Sequence, residues 1–294
     1  RPVVDTGAVL TQRPAMSISG QPEATMTLPE RQYLDLGPIT IAFREKGIGT
    51  PLLFIHGMGG NSAAWESQYS TFADRYRVIG WDGPGYGASG EFIDDCPVIV
   101  DYVDVLAQLF DALGIEAAHL VGHSLGGIIV SAFNRLHGKR VLDLALIQAV
   151  TGYGREDTTK RANRNIQRKA ELDGMSADAF ARHRAERALA PGASAALIEQ
   201  AATVSYAIRK RGYLQAWHAL TAADIFAELK GIDKSALFIA GEHDRIAGGD
   251  DCRAIAKAIP GAQYEEIEAV GHVPHFEAPD VLNRLLDKFF IADN

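Results

Sequence analysis

From residue 31 onward short runs, most of them densely apolar, alternate with longer stretches in which apolar positions recur every three or four residues. The runs are Ile39–Phe43, Pro51–Ile55, Tyr76–Trp81, Ala118–Val121, Leu142–Ile147, Ala236–Ala240 and Gln263–Ile267. Their β-branched and aromatic content predicts strands. Leu52-Leu53-Phe54-Ile55 is apolar at every position, as a strand covered on both faces requires. The stretches between predict helices at Ser62–Ala73, Val98–Leu113, Leu125–His137, Cys252–Ala258 and Val281–Phe290. This alternation predicts an α/β fold with a mostly parallel, doubly wound sheet.

One interval breaks the alternation. Residues 152–231 carry no convincing strand but four helical segments rich in Ala and Arg: Thr159–Leu172, Ala177–Leu189, Ala193–Arg209 and Tyr213–Leu229. A helical block inserted between two strands is expected to cap their carboxyl ends, where ligands bind in open α/β sheets. The expected organisation is a core of residues 31–151 and 232–294 interrupted by a cap at 152–231. Residues 1–30 contain Pro2, Pro14, Pro22 and Pro29 and no basic-then-apolar leader pattern. They read as a poorly ordered extension.

Composition narrows the partners. With 47% hydrophobic and 22% charged residues over 294 positions, the chain can bury a sizeable core and is not of the disordered class. Its 29 basic against 37 acidic residues leave −8, which argues against a nucleic-acid or anionic-lipid footprint. No apolar stretch reaches the roughly 18–20 residues of a membrane span. Cys96 and Cys252 match neither a disulfide framework nor a zinc spacing. A small-molecule partner and a cytoplasmic location are expected, with the oligomeric state left open.

Gly122-His123-Ser124-Leu125-Gly126 lies between the apolar run His119–Val121 and the helical stretch Ile128–Val130. This is Gly-x-Ser-x-Gly in a strand–turn–helix setting. A sharp turn brings neighbouring backbone so close that side chains at Gly122 or Gly126 would collide, and it lifts the Ser124 hydroxyl above the sheet. It also sets the Leu125 peptide N–H at a helix N-terminus, where a developing oxyanion is stabilised.

With that elbow, four separated motifs resemble those of the α/β-hydrolase family, in family order. His56-Gly57-Met58-Gly59-Gly60 resembles its oxyanion loop, and Asp82-Gly83-Pro84-Gly85-Tyr86-Gly87-Ala88-Ser89 its Asp-x-x-Gly-x-Gly-x-Ser loop. The Ser124 elbow is third; Gly241-Glu242-His243-Asp244 and Gly271-His272 complete the set. The match covers residues 33–150 and 232–294, with an equivalent cap between. The resemblance implies an α/β-hydrolase fold with Ser124 as nucleophile, Asp244 as acid and His272 as base, in the order Ser, Asp, His. Asp244 fits the family position better than Glu242, and His272 better than His275. The resemblance also implies backbone amides of Leu125 and Met58 as oxyanion donors. His56 is read as organising its loop, and His123 as a packing group or a support for the residues of the site.

Other signals in the chain are weaker. Gly85-Tyr86-Gly87-Ala88-Ser89-Gly90 satisfies a dinucleotide pattern, but Glu91–Pro97 is an acidic, Pro-terminated loop where a helix should open. His272-Val273-Pro274-His275 lacks an acidic third metal ligand. Arg155, Lys160, Arg161, Arg164, Arg168 and Lys169 read as a solvated helix face rather than an anion site. Trp65, Tyr153, Tyr206, Tyr213 and Trp217 read as core between cap and sheet.

The expectation is a serine hydrolase of a small-molecule ester or lactone, working through an acyl-enzyme with no cofactor and no metal. Serine at the elbow argues against dehalogenase and epoxide-hydrolase chemistry. Two alternatives stay open. One is a carbon–carbon bond hydrolase of dienoic ring-cleavage products, weakened by Val273 where such enzymes commonly carry Trp. The other is a hydrolase-like receptor with little or no turnover.

Overall fold

The protein is described by a computed structural model over residues 28–206 and 208–292, so most of the extension expected at 1–30 lies outside the described residues. Leu28 already packs on the core, and the Pro29 carbonyl accepts from Arg44. The hairpin β1 (Arg31–Asp35) and β2 (Thr40–Lys46) leads into β3 (Thr50–Ile55), α1 (Glu66–Phe72), β4 (Tyr76–Trp81), α2 (Ile99–Ala112) and β5 (Ala118–His123). Then follow α3 (Leu125–His137) and β6 (Val141–Ile147). Five helices come next without a strand: α4 (Thr158–Asp173), α5 (Ala177–Ala188), α6 (Ala195–Thr203), α7 (Lys210–Ala222) and α8 (Ile225–Glu228). The chain returns as β7 (Ala236–Gly241), α9 (Gly249–Lys257), β8 (Gln263–Ile267), α10 (Pro274–Glu277) and α11 (Pro279–Ala292).

The strands form one sheet in the order β1-β2-β4-β3-β5-β6-β7-β8, antiparallel at β1/β2 and β2/β4 and parallel elsewhere. Alternation along each strand divides the core in two. Leu53, Ile55, Ile79, Leu120, Leu144, Leu146 and Phe238 face the layer that holds α2, α3 and part of the insertion. Leu52, Phe54, Val78, Val121, Ile147, Leu237 and Ile239 face the layer built on α1 and α11. This two-faced burial is why the central strands read as uninterrupted apolar runs. The fold class is that of an α/β-hydrolase: a mostly parallel, doubly wound sheet with helices on both faces.

Several elements differ from the sequence expectation for local reasons. β1 was not foreseen because it is an edge strand with only Leu34 partly buried, so its sequence carries no apolar run. The helix expected over Ala193–Arg209 stops at Thr203. Beyond it Asn61 Nδ2 donates to the Val204 carbonyl (2.8 Å) and Ser205 Oγ donates to the Gly59 carbonyl (2.8 Å), drawing the chain onto the loop after β3. The helix expected over Tyr213–Leu229 breaks at Ala223, and Asp224 caps α8 by accepting from the Phe226 N–H (3.1 Å). Trp65 belongs to the α1/α11 layer, against Phe54, rather than lying between insertion and sheet.

Because β3, β5, β6, β7 and β8 run parallel, the loops after them leave the same edge of the sheet. The chain order reverses between β3 and β5, the position at which adjacent loops part and leave a crevice.

Candidate active site

The Ser124 elbow stands at that crevice. Ser124 has φ 53° and ψ −117°, a conformation that non-glycine residues avoid at a cost of about 1–3 kcal/mol. The turn is forced by close backbone approach on both sides. A Cβ on Gly126 would stand 2.1 Å from the Ile55 carbonyl oxygen, and one on Gly122 would stand 2.5 Å from the Gly126 carbonyl oxygen. The Ser124 N–H donates to the Ile147 carbonyl (2.9 Å), tying the strained residue to β6. Leu125 then opens α3, with its N–H at the positive end of that helix.

In the β3/β5 register Ile55 faces Gly122, which sets the His56–Gly60 loop beside the elbow. His56 is buried and determines the orientation of the Gly57–Met58 peptide. Its Nε2 accepts from the Gly83 N–H (2.9 Å), so its Nδ1 carries the proton and donates to the Gly57 carbonyl (2.7 Å). Gly60 N–H donates to the same carbonyl (3.1 Å). In a trans peptide the N–H points opposite the C=O, so holding the Gly57 oxygen aims the Met58 N–H the other way. Burial pushes the His56 pKa down against the opposing effects of the Gly57 carbonyl and Asp82, keeping the ring in this neutral, two-sided role.

Asp244 follows β7 and His272 follows β8. Asp244 Oδ2 accepts from His272 Nδ1 (2.8 Å), while Oδ1 accepts from the N–H groups of Ile246 (2.7 Å) and Ala247 (3.1 Å). Burial opposes ionisation of Asp244, but the His272 charge and hydrogen bond and the two amides outweigh it and hold the carboxyl below its usual range. With Nδ1 engaged, His272 keeps Nε2 as an acceptor. Glu242 is half exposed and accepts from the Ala269 N–H (2.9 Å), away from His272. His275 is fully buried against Trp65 and Phe276, with ring centroids at 4.8 and 4.5 Å.

Residues without any local sequence signal hold the His272 loop in place. Glu277 accepts from the Gly271 N–H (2.9 Å) and the Val273 N–H (3.3 Å), one on each side of His272, and from Ala190 N–H (2.7 Å) after α5. His272 N–H donates to the Ala188 carbonyl (2.6 Å), and its carbonyl accepts from His123 Nε2 (2.7 Å). Gln148, at φ 49°, reaches from the end of β6 to the Gly271 carbonyl. His123 is thus a loop anchor, and burial, then the charges of His275 and His272, push its pKa well down.

Ser124, Met58 and His272 border one cavity of about 260 Å³ beneath the helical insertion. Among the described residues Ser124 Oγ makes no hydrogen bond to His272; both groups open onto this shared space. Tyr153, Tyr213 and Trp217 also line it. Arg168 corrects one expectation: it lines this cavity, with its guanidinium 4.2 Å over the Trp217 ring. Its neighbours in sequence are paired on the surface, Arg164 with Glu156 (2.7 Å) and Lys169 with Asp173 (2.6 Å). The Gly85–Gly90 loop is closed on itself, with Gly85 N–H on the Gly90 carbonyl (2.7 Å) and Ala88 N–H on Asp82 (2.9 Å), and the next α-helix opens only at Ile99. Among the described residues no cluster of three His, Cys, Asp or Glu side chains is arranged to hold a metal, and no helix is long and apolar enough to cross a membrane.

Comparison with known proteins agrees with this architecture. A family model described as the alpha/beta hydrolase fold matches residues 50–279. A RutD protein of Azorhizobium caulinodans, whose name as a carbamate hydrolase is provisional, is 29% identical over 259 residues, covering 86% of this chain and 96% of its own. The enol-lactonase from Burkholderia xenovorans superposes with a TM-score of 0.77 at 25% identity, over 88% of this chain and 100% of that one. A thermophilic esterase from Thermogutta terrifontis shares the fold with a TM-score of 0.80 at 23% identity, over 90% and 99% of the two chains. The elbow, the switch-point crevice and the family match over most of the sheet and all of the insertion lead to one conclusion: the chain belongs to the α/β-hydrolase fold family.

Proposed function

We propose that the protein is a serine hydrolase that cleaves a small-molecule ester or lactone through an acyl-enzyme on Ser124. One observation carries the reading: a single cavity is bordered by strained Ser124, by His272 engaged through Nδ1 to Asp244, and by Met58. The substrate carbonyl enters with its carbon toward Ser124 Oγ. As Oγ attacks, its proton passes to His272 Nε2, and Asp244 stabilises the imidazolium formed. The carbonyl oxygen becomes an oxyanion that accepts from the Leu125 and Met58 amides, neither of which has an acceptor among the described residues.

Collapse of the tetrahedral species breaks the bond to the alkoxide, which takes the proton from His272. In a lactone this alcohol stays tethered to the acyl group. Water then attacks the acyl carbon while His272 takes its proton, and the acid leaves as Ser124 recovers its hydrogen. Residues 152–231 act as a cap over the core of 31–151 and 232–294, and limit the substrate to small molecules. The names of two relatives support hydrolysis at an acyl carbonyl: one is called an enol-lactonase, and the other carries the provisional name of a carbamate hydrolase. A fluorophosphonate probe tests the reading. It is expected to label the folded protein once, at Ser124, and to leave Ser124→Ala unlabelled. Absence of labelling on the wild-type protein overturns it.

A further inference from the structure

The lining of the cavity is cationic in a protein that is acidic overall. Four guanidinium groups border it (Arg168, Arg184, Arg187 and Arg245) against the carboxylates of Glu171 and Asp251, although the whole chain carries −8. Glu171 is already surrounded: Arg168 Nη1 lies 2.7 Å from it, His183 Nε2 3.5 Å and Arg187 Nη1 3.9 Å.

Arg184 is in a different situation. Its Nη1 donates to Tyr213 Oη (2.6 Å) and its Nη2 to the Met58 carbonyl, both neutral acceptors. Its Nε–H is buried without a partner, as is that of Arg168, but where Arg168 is paired with Glu171, Arg184 has no carboxylate within ion-pair distance among the described residues. A guanidinium keeps its charge at any physiological pH and presents five donors in a flat fork. Holding that charge in a half-closed cavity without a counter-ion is unfavourable, and a planar anion would relieve it. Because Arg184 holds the carbonyl of Met58 itself, such an anion would sit close to the substrate carbonyl on which Ser124 acts.

Resting on the serine-hydrolase reading, we infer that the substrate carries a free carboxylate, seated against Arg184 with the other cavity arginines supplying background attraction. The protein is an esterase or lactonase of acidic small molecules.

The test compares monoethyl adipate with the ethyl ester of adipamic acid, which replaces the free carboxylate by a neutral amide of the same shape. The wild-type protein is expected to favour the acid by about tenfold or more in kcat/KM, a preference that shrinks as salt is raised. Arg184→Gln is expected to bring the two substrates within about twofold of each other. The readout is their ratio, which a purely structural role for Arg184 at the Met58 loop would leave in place. Glu171→Gln removes the carboxylate that occupies the neighbouring Arg168 and Arg187 and is expected to raise the acid-over-amide ratio. Should Arg184→Gln not fold, a ratio that does not rise in Glu171→Gln overturns the inference.

Equal turnover of both esters by a protein that still labels at Ser124 overturns the carboxylate inference alone. If Ser124 labels but neither ester is cleaved, protection from the label by adipamic acid and not by adipamide supports the inference, and equal protection overturns it. Failure of labelling overturns the hydrolase reading, and the inference with it.

Discussion

The elbow and the helical insertion are built on opposite physical terms. Every residue of β5 is buried, and the turn that follows is determined by backbone meeting backbone, with Gly126 against Ile55 and Gly122 against Gly126. In α4, by contrast, Leu172 is the only fully buried residue, and Lys160, Arg164 and Lys169 pair with Asp157, Glu156 and Asp173. Close packing tolerates almost no change in volume, whereas exposed ion pairs contribute little each. The geometry of the elbow is therefore held by sterics, and the outer face of the insertion by side chains that can be exchanged cheaply. The loop carrying His272 joins the two regions, since Glu277 and the His272 N–H both bind the end of α5.

The largest effect should come from the elbow. Ser124→Ala is expected to lower kcat for a cleavable ester by about 10⁴-fold or more while the fold persists, measured by steady-state kinetics beside circular dichroism. Retained turnover would move the reaction away from the elbow altogether. Next comes Gly126→Ala, expected to destabilise the protein by about 3 kcal/mol or more in urea unfolding, because its Cβ meets a carbonyl that cannot move without shifting β3. A change below about 0.5 kcal/mol would mean that the contrast with the insertion is weaker than the geometry implies.

The buried histidines give a pH test of the same contrast. Burial, followed by the nearby imidazoles of His272 and His56, lowers the His275 pKa from 6.5 to about 3. Between those values the unfolded chain binds a proton that the folded protein does not. Stability is therefore intact above about pH 6.5 and declines as pH falls toward 3. From pH 6.5 to 4.5 this group alone should cost about 2–3 kcal/mol, and His275→Phe should lose correspondingly less over the same interval. Equal losses in the two proteins would transfer the acid sensitivity to other groups.

Glu277→Gln probes the junction. It keeps the size but loses a charge that binds amides on both sides of His272, and is expected to reduce kcat by about tenfold with KM little changed. A change confined to KM would relocate its role to the pocket. The smallest effect belongs to the insertion surface: Lys160→Ala, which removes a pair 3.6 Å from Asp157, should alter stability by less than about 0.5 kcal/mol. A larger loss would show that α4 depends on its ion pairs after all.

How far the sequence could be read follows the same division. The central strands were legible because burial on both faces demands unbroken apolar runs. The edge strand β1 was not, because solvent places no such demand on Gln32 or Asp35. Ser124, Asp244, His272, Leu125 and Met58 could be named because each lies inside a local motif, and the structure brings them to one edge of the sheet. Arg184, Glu277 and Gln148 have no motif. Arg184 is one arginine among several in α5, and Glu277 lies in a short helix with no pattern of its own. Their contacts are with partners far away in the chain: Met58 is 126 residues from Arg184, and Ala190 is 87 residues from Glu277.

The amino-acid order by itself determined the central strands and the helices between them, where the chain turns sharply, and which residues stand in the elbow and its partner loops. These are consequences of short-range sterics and of apolar periodicity, which neighbouring residues encode. Tertiary structure alone decided that Arg168 faces the cavity while Arg164 pairs with Glu156 and Lys169 with Asp173, that Glu171 is surrounded by cations while Arg184 has no carboxylate partner among the described residues, and that His123 anchors the His272 loop. Those outcomes depend on how helices of similar composition pack over the sheet. Charge compensation across that packing is a property of pairs distant in sequence, which no single segment carries.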